Sequence, residues 1–66
     1  MDILLQTSQF IYIMELKINQ SADIALKQIE EKGYAKVFSN DSRKLFKIGV
    51  NFSSEKKLID DWIIIR

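Results

Sequence analysis

The chain has 66 residues, enough for one small domain or part of one, with a core that has little stability to spare. It contains no cysteine and no histidine, which excludes disulfides, zinc–thiolate sites, thiol nucleophiles and any Ser–His–Asp triad. Ten Lys+Arg against nine Asp+Glu leave a net charge of +1, so charge alone marks neither a nucleic-acid coat nor an acidic tail, and 47% apolar with 29% charged residues describes a globular chain.

There is no proline and there are two glycines, so linkers and low-complexity segments are absent. The longest apolar runs, Ile3 to Leu5, Phe10 to Met14 and Trp62 to Ile65, are too short to span a bilayer. Asp2 stands where a secretory signal would carry basic residues. The expectation is a cytoplasmic protein with no membrane segment. Strongly apolar stretches at both ends suggest a truncated core, or one that covers its ends with another copy of itself.

Asp2 to Gln6 is a short apolar run closed by the polar break Thr7-Ser8-Gln9. Phe10 to Ile18 alternates with a period of two. Phe10, Tyr12, Met14, Leu16 and Ile18 line one face, and Ile11, Ile13, Glu15 and Lys17 the other. This pattern predicts a strand covered on both faces, forming a hairpin with the first run. Ser21 is a plausible N-cap, with Asp23 in the first helical turn and Lys27 four residues on for pairing. Ala22, Ala25, Leu26, Ile29, Gly33 and Val37 keep a helical apolar stripe, predicting a helix from about Ala22 to about Ala35. Ser39 to Ser42 is a loop. Lys44 to Phe52 alternates again, with Phe46, Ile48, Val50 and Phe52 on one face. Ser53 to Lys57 is a turn, and Leu58 to Ile65 a last strand with Trp62 as a core or interface anchor. The order β-β-α-β-β predicts an α/β (α+β) domain: a four-stranded, mixed or largely antiparallel sheet with one helix packed on it.

The chemistry centres on Glu15-Leu16-Lys17 and Asp2. Glu15 and Lys17 are two apart on a strand and project from one face. If Gln6 faces Ile11 across the break, Leu4 faces Ile13 and Asp2 faces Glu15. Opposed carboxylates on paired strands repel unless a cation lies between them. Mg²⁺ or Mn²⁺ resolves that conflict, since hard cations take carboxylate oxygens. Lys17 would then orient a nucleophilic water or stabilise charge on a phosphate. The same spacing also describes an ion pair on a solvated face, and both readings stay open here. Gln28 is a second candidate, on a helix edge with Lys32 four residues away; the alternative is a surface glutamine. Tyr34 reads as a boundary residue with a buried ring and a wet hydroxyl. Arg43, Lys44, Lys47, Lys56 and Lys57 are scattered positives, read as solubilising charges and edge-strand guards, or as phosphate contacts.

Asp2, Glu15-Leu16-Lys17, the run from Gln28-Ile29 through Lys32 to Tyr34, and Gly49-Val50-Asn51-Phe52-Ser53 together resemble a bacterial family common in Bacteroidetes. Its members join an AAA-ATPase-like region to a C-terminal PD-(D/E)XK nuclease superfamily domain. The resemblance implies a restriction-endonuclease-like core. It implies Asp2, Glu15, Lys17 and Gln28 as catalytic residues, with Asp2 and Glu15 as ligands of Mg²⁺ or Mn²⁺. The implied reaction is metal-dependent phosphodiester hydrolysis of DNA or RNA. The superfamily's usual helix and strand ahead of the motif aspartate are missing, as is the ATPase-like region, so residues 1–66 read as a single, N-terminally truncated nuclease-like domain. The competing expectation is a catalytically inactive remnant acting as an oligomerisation or protein-interaction module. In either case exposed apolar sheet surface predicts a homodimer or larger homo-oligomer.

Overall fold

The computed structural model describes residues 1–66. Its elements are β1 (Asp2–Gln6), β2 (Phe10–Ile18), α1 (Ala22–Glu31), α2 (Tyr34–Val37), β3 (Lys44–Ser53) and β4 (Leu58–Ile65). The four strands form one mixed sheet in the order β1-β2-β3-β4. The two hairpins, β1–β2 and β3–β4, are antiparallel, while β2 and β3 run parallel. Parallel neighbours need a long crossover, and α1 supplies it. No helix is long and apolar enough to cross a membrane.

The helix packs where the sheet offers it an apolar floor. Ile11 and Ile13 from β2 meet Leu26 and Ile29 from α1, with Tyr34, Phe38, Leu45 and Ile63 closing the sides. The start of α1 is held by groups from two places. The Ser21 hydroxyl accepts from the Ile24 N–H at 3.2 Å, and the Asp61 carboxylate on β4 accepts from the Ala22 N–H at 3.0 Å. Two of the helix's unpaired N–H groups are thereby satisfied. Asp23 and Lys27 do not form the expected ion pair.

Gly49 sets how closely α1 lies on the sheet. A Cβ there would stand 2.5 Å from the Ala22 carbonyl oxygen and 2.9 Å from Leu26 Cγ. Only a residue without a side chain lets the helix backbone approach this far. Gly49 is also the register partner of Glu15, so this close contact adjoins the buried carboxylate.

Three expectations are corrected. The helix does not continue to Ala35: it ends at Glu31, with Lys32 as its C-cap and Gly33 at a left-handed φ of 70°. Glycine takes that conformation without steric cost and stops the helix, so Gly33 is a terminator rather than a member of the apolar stripe. Val37, beyond the stop, is 72% exposed. The second correction concerns β2, whose two faces are not both covered. Ile11, Ile13 and Glu15 lie under α1, whereas Tyr12, Met14 and their neighbours lie on an open sheet face. The molecule's thinnest extent is 16 Å, that of one sheet carrying one layer of helix. The third is Trp62, which is 62% exposed on the open face and anchors no core.

Only 11 of 66 residues are buried, so the fold rests on a small core. On the open face Tyr12 stacks on Phe46 with ring centroids 5.3 Å apart, and Phe10 packs on Phe46 at 5.7 Å. Beside them Ile3, Leu5, Tyr12, Met14 and Ile48 line an apolar hollow of about 200 Å³.

Candidate functional site

The register of the first hairpin decides where the carboxylates lie, and its loop is closely pinned. The Thr7 hydroxyl accepts from the Phe10 N–H at 2.9 Å, and the Thr7 N–H donates to the Phe10 carbonyl at 2.8 Å. Arg43, just before β3, donates to the Gln6 side-chain oxygen at 2.9 Å and to the Thr7 carbonyl at 3.0 Å. Asp41 aims that guanidinium through bonds of 2.9 and 2.7 Å, and the guanidinium in turn holds the Asp41 carboxyl down at about 2. Arg43 is thus a clamp on the hairpin loop. Lys47 is no edge guard either: it lies on a central strand and pairs with Glu30 of α1 at 2.6 Å.

With the loop fixed, Gln6 pairs with Ile11, Leu4 with Ile13 and Asp2 with Glu15, as the residue arithmetic predicts. A slip of one residue would send every side chain of β1 to the other face. Asp2 stands at the rim with a third of its side chain exposed, while Glu15 is 2% exposed. Two anionic groups this close, one of them buried, need cations, and the fold provides them.

Lys32 is the principal one. Its ammonium donates to Asp2 Oδ2 and reaches Glu15 Oε2 at 3.4 Å, so one charge bridges the two carboxylates. Tyr34 adds a hydroxyl bond to the same Asp2 oxygen at 3.2 Å. The Lys32 hydrogen bond foremost, then its charge and the Tyr34 hydroxyl, hold the Asp2 carboxyl below the ordinary value of 3.8. Lys17 comes from the same strand as Glu15 and places its Nζ 3.7 Å from Glu15 Oε1. The chain's amino group lies 3.8 Å from that oxygen.

The structure therefore brings Asp2, Glu15 and Lys17 together. Gln28 makes no hydrogen bond to any of them; it is half-buried on α1, and its Oε1 is shut off from solvent without a partner. Lys32 lies one helical turn beyond it, on the same side of α1. Lys32 and Tyr34 are the residues that the site logic missed. Their signal lay in the sequence all the same: Gly33 stops the helix between them and turns both toward Asp2.

The donor set can be tested against a divalent cation. There is no cluster of three or more carboxylate, His or Cys ligands. Two opposed carboxylates already share one positive charge, and Mg²⁺ is commonly held by one or two carboxylates with water and phosphate completing its shell. The residues fit such an ion.

The family model of the PD-(D/E)XK nuclease superfamily matches residues 1–62. The chain belongs to this superfamily. No curated protein and no solved structure matches it. The four-stranded mixed sheet with its packed helix is consistent with a restriction-endonuclease-like core. PD-(D/E)XK nucleases generally use divalent metals, and membership points to nucleic acid as the partner class.

Proposed function

We propose that residues 1–66 form one nuclease-like unit whose site serves metal-dependent hydrolysis of phosphodiesters in DNA or RNA. The observation that carries this reading is the direct opposition of Asp2 and Glu15, with a cation held between them. Asp2 and Glu15 would hold Mg²⁺ or Mn²⁺. When bound, such an ion supplies a Lewis acid that neutralises charge on a phosphate. Glu15, rigid on a central strand and screened from water, fixes one side of the ion's place. Asp2 at the rim, oriented by the Tyr34 hydroxyl, fixes the other. Lys17 projects beside Glu15, where its ammonium can hold a water or offset charge on a phosphate oxygen. Gln28 is assigned to the site by resemblance, and its unpaired Oε1 supports a role that no residue of this chain satisfies. A cytoplasmic location accords with a nucleic-acid substrate.

Calorimetric titration with Mn²⁺, with Glu15→Gln as control, tests the reading. Wild type should bind one ion, the variant none, and wild type alone should cleave labelled DNA or RNA. An absence of Mn²⁺ binding by folded wild-type protein would refute it.

The open face favours a second reading, as a self-association module. Strands about 4.8 Å apart and about 3.3 Å per residue give a footprint of roughly 500 Å² for four strands of about eight residues. Two copies would bury about 1,000 Å², the lower bound for a specific interface. The middle of this face carries Tyr12, Met14, Ile48, Trp62 and Ile64 and no charge. A two-fold axis parallel to the strands sets β4 of one copy over β1 and β2 of the other, bringing Trp62 toward the apolar hollow. Sedimentation at micromolar concentration should show a dimer for wild type and a monomer for Trp62→Glu. A monomeric wild type would refute this reading.

A further inference from the structure

Lys32 lies on no strand with Asp2 or Glu15, yet it contacts both. It reaches them from the C-terminal end of α1, 30 residues along the chain from Asp2. Lys17, by contrast, approaches only one oxygen of Glu15, at a distance too long for a hydrogen bond. Counting the chain's amino group, 3.8 Å from Glu15 Oε1, three positive groups already offset these two carboxylates. A divalent cation entering between Asp2 and Glu15 would meet the Lys32 ammonium where its own ligands converge. Lys32 is able to leave: a third of its side chain is exposed, its stem is flexible, and it follows the last residue of the helix. Glu15 cannot follow it out, because it is buried on the second strand of the sheet.

We propose that Lys32 is a reversible occupant of the cation position. It holds the carboxylate pair together in the metal-free protein and is displaced to the rim when a divalent ion binds. Lys32 thus sets the metal affinity of the site, and it preserves a pre-aligned pair of ligands that would otherwise repel. This inference rests on the reading of Asp2 and Glu15 as cation ligands.

The test is Mn²⁺ titration calorimetry on the 66-residue chain for wild type, Lys32→Met, Lys32→Arg, Lys17→Met and Glu15→Gln. A charge within about 4–6 Å of a carboxylate changes its proton affinity by about 10–1000-fold. On the same electrostatics, Lys32→Met should bind Mn²⁺ at least about ten-fold tighter than wild type. Lys32→Arg should remain near wild type, and Lys17→Met should gain clearly less than Lys32→Met. In a Mg²⁺ titration of wild type, the Lys32 side-chain Cε resonance should shift as the ion saturates. The Lys47 resonance should not, because that ammonium is engaged with Glu30. The resonance measurement decides the matter even if Lys32→Met fails to fold. Binding by wild type with an unmoved Lys32 resonance, no gain in folded Lys32→Met, or an equal gain in Lys17→Met would overturn the proposal and leave the metal site standing. No binding by any folded variant would overturn both.

Discussion

Replacing Gly49 with alanine tests whether the helix rests on bare strand backbone beside the site. The new Cβ would lie 2.5 Å from the Ala22 carbonyl oxygen, 2.9 Å from Leu26 Cγ and 3.1 Å from the Leu26 nitrogen. Two of these three atoms are backbone, so no rotamer change relieves the clash. Relief to ordinary contact near 3.5 Å requires α1 to retreat by about 0.5–1 Å, a gap that forfeits a quarter to a half of the attraction across it. Overpacking of this kind costs about 1–3 kcal/mol. A chain of this length has roughly 3–10 kcal/mol in total, so the loss is large. At about 4–8 °C per kcal/mol, the melting temperature should fall by roughly 5–20 °C. Thermal unfolding followed by circular dichroism measures it. Lys32 travels with α1, so the retreat should also loosen its hold on Asp2. A Gly49→Ala protein melting within about 2 °C of wild type would show that the helix does not depend on this close approach.

The Asp2 carboxyl is held below its ordinary 3.8, so its contribution to stability is complete above that value and disappears as pH falls through the lower folded value. Urea midpoints measured from pH 6 downward should fall through this window in wild type, and more shallowly in Asp2→Asn. Asp41, held at about 2 by Arg43, should give an acid limb between 3.8 and about 2 that Asp41→Asn lacks; parallel limbs would contradict the clamp. Buried Asn51 accepts from the Gln20 N–H at 2.8 Å and donates to Asp60 at 2.9 Å, so Asn51→Leu should cost about 1–3 kcal/mol in chemical denaturation through the loss of two hydrogen bonds.

Phe10–Ile18 and Lys44–Ser53 were legible because the two-residue period is strong there, and the hairpin has the register that follows if Gln6 faces Ile11. Leu58–Ile65 matches its expected bounds because the polar turn from Ser53 to Lys57 marks where it begins. The helix end was misread at one residue. Gly33 falls on the apolar stripe by spacing, yet its left-handed backbone ends the helix. That misreading concealed the contacts of Lys32 and Tyr34 with Asp2. Within a continuous helix Lys32 and Tyr34 point along different directions, and only the stop brings both onto Asp2. The open face was hidden differently. Alternation separates the two faces of a strand, but an apolar face looks the same in sequence whether a helix covers it or not. Arg43 and Lys47 looked like scattered charge because their partners, Asp41 with the Thr7 loop and Glu30, are identified only by the fold.

The helix-facing side of β2 reads Ile11, Ile13, Glu15. Packing alone would favour a third aliphatic side chain there, beside Gly49 and under α1. Replacing a buried ion pair by well-packed hydrophobes is often neutral or stabilising by about 1–4 kcal/mol, whereas removing one partner alone costs about 3–5 kcal/mol. Glu15 therefore imposes a requirement on its neighbours. Lys32 must reach in from the helix terminus, Lys17 must lie along the strand, and Gly33 must turn the chain to bring Tyr34 onto Asp2. The chain departs from the hydrophobic pattern at one position and then uses at least three others to support that departure. Departures of this kind from the packing pattern are expected where a chain carries a site. On the proposed reading of Asp2 and Glu15 as cation ligands, Lys32, Lys17 and Tyr34 are what keep the pair aligned.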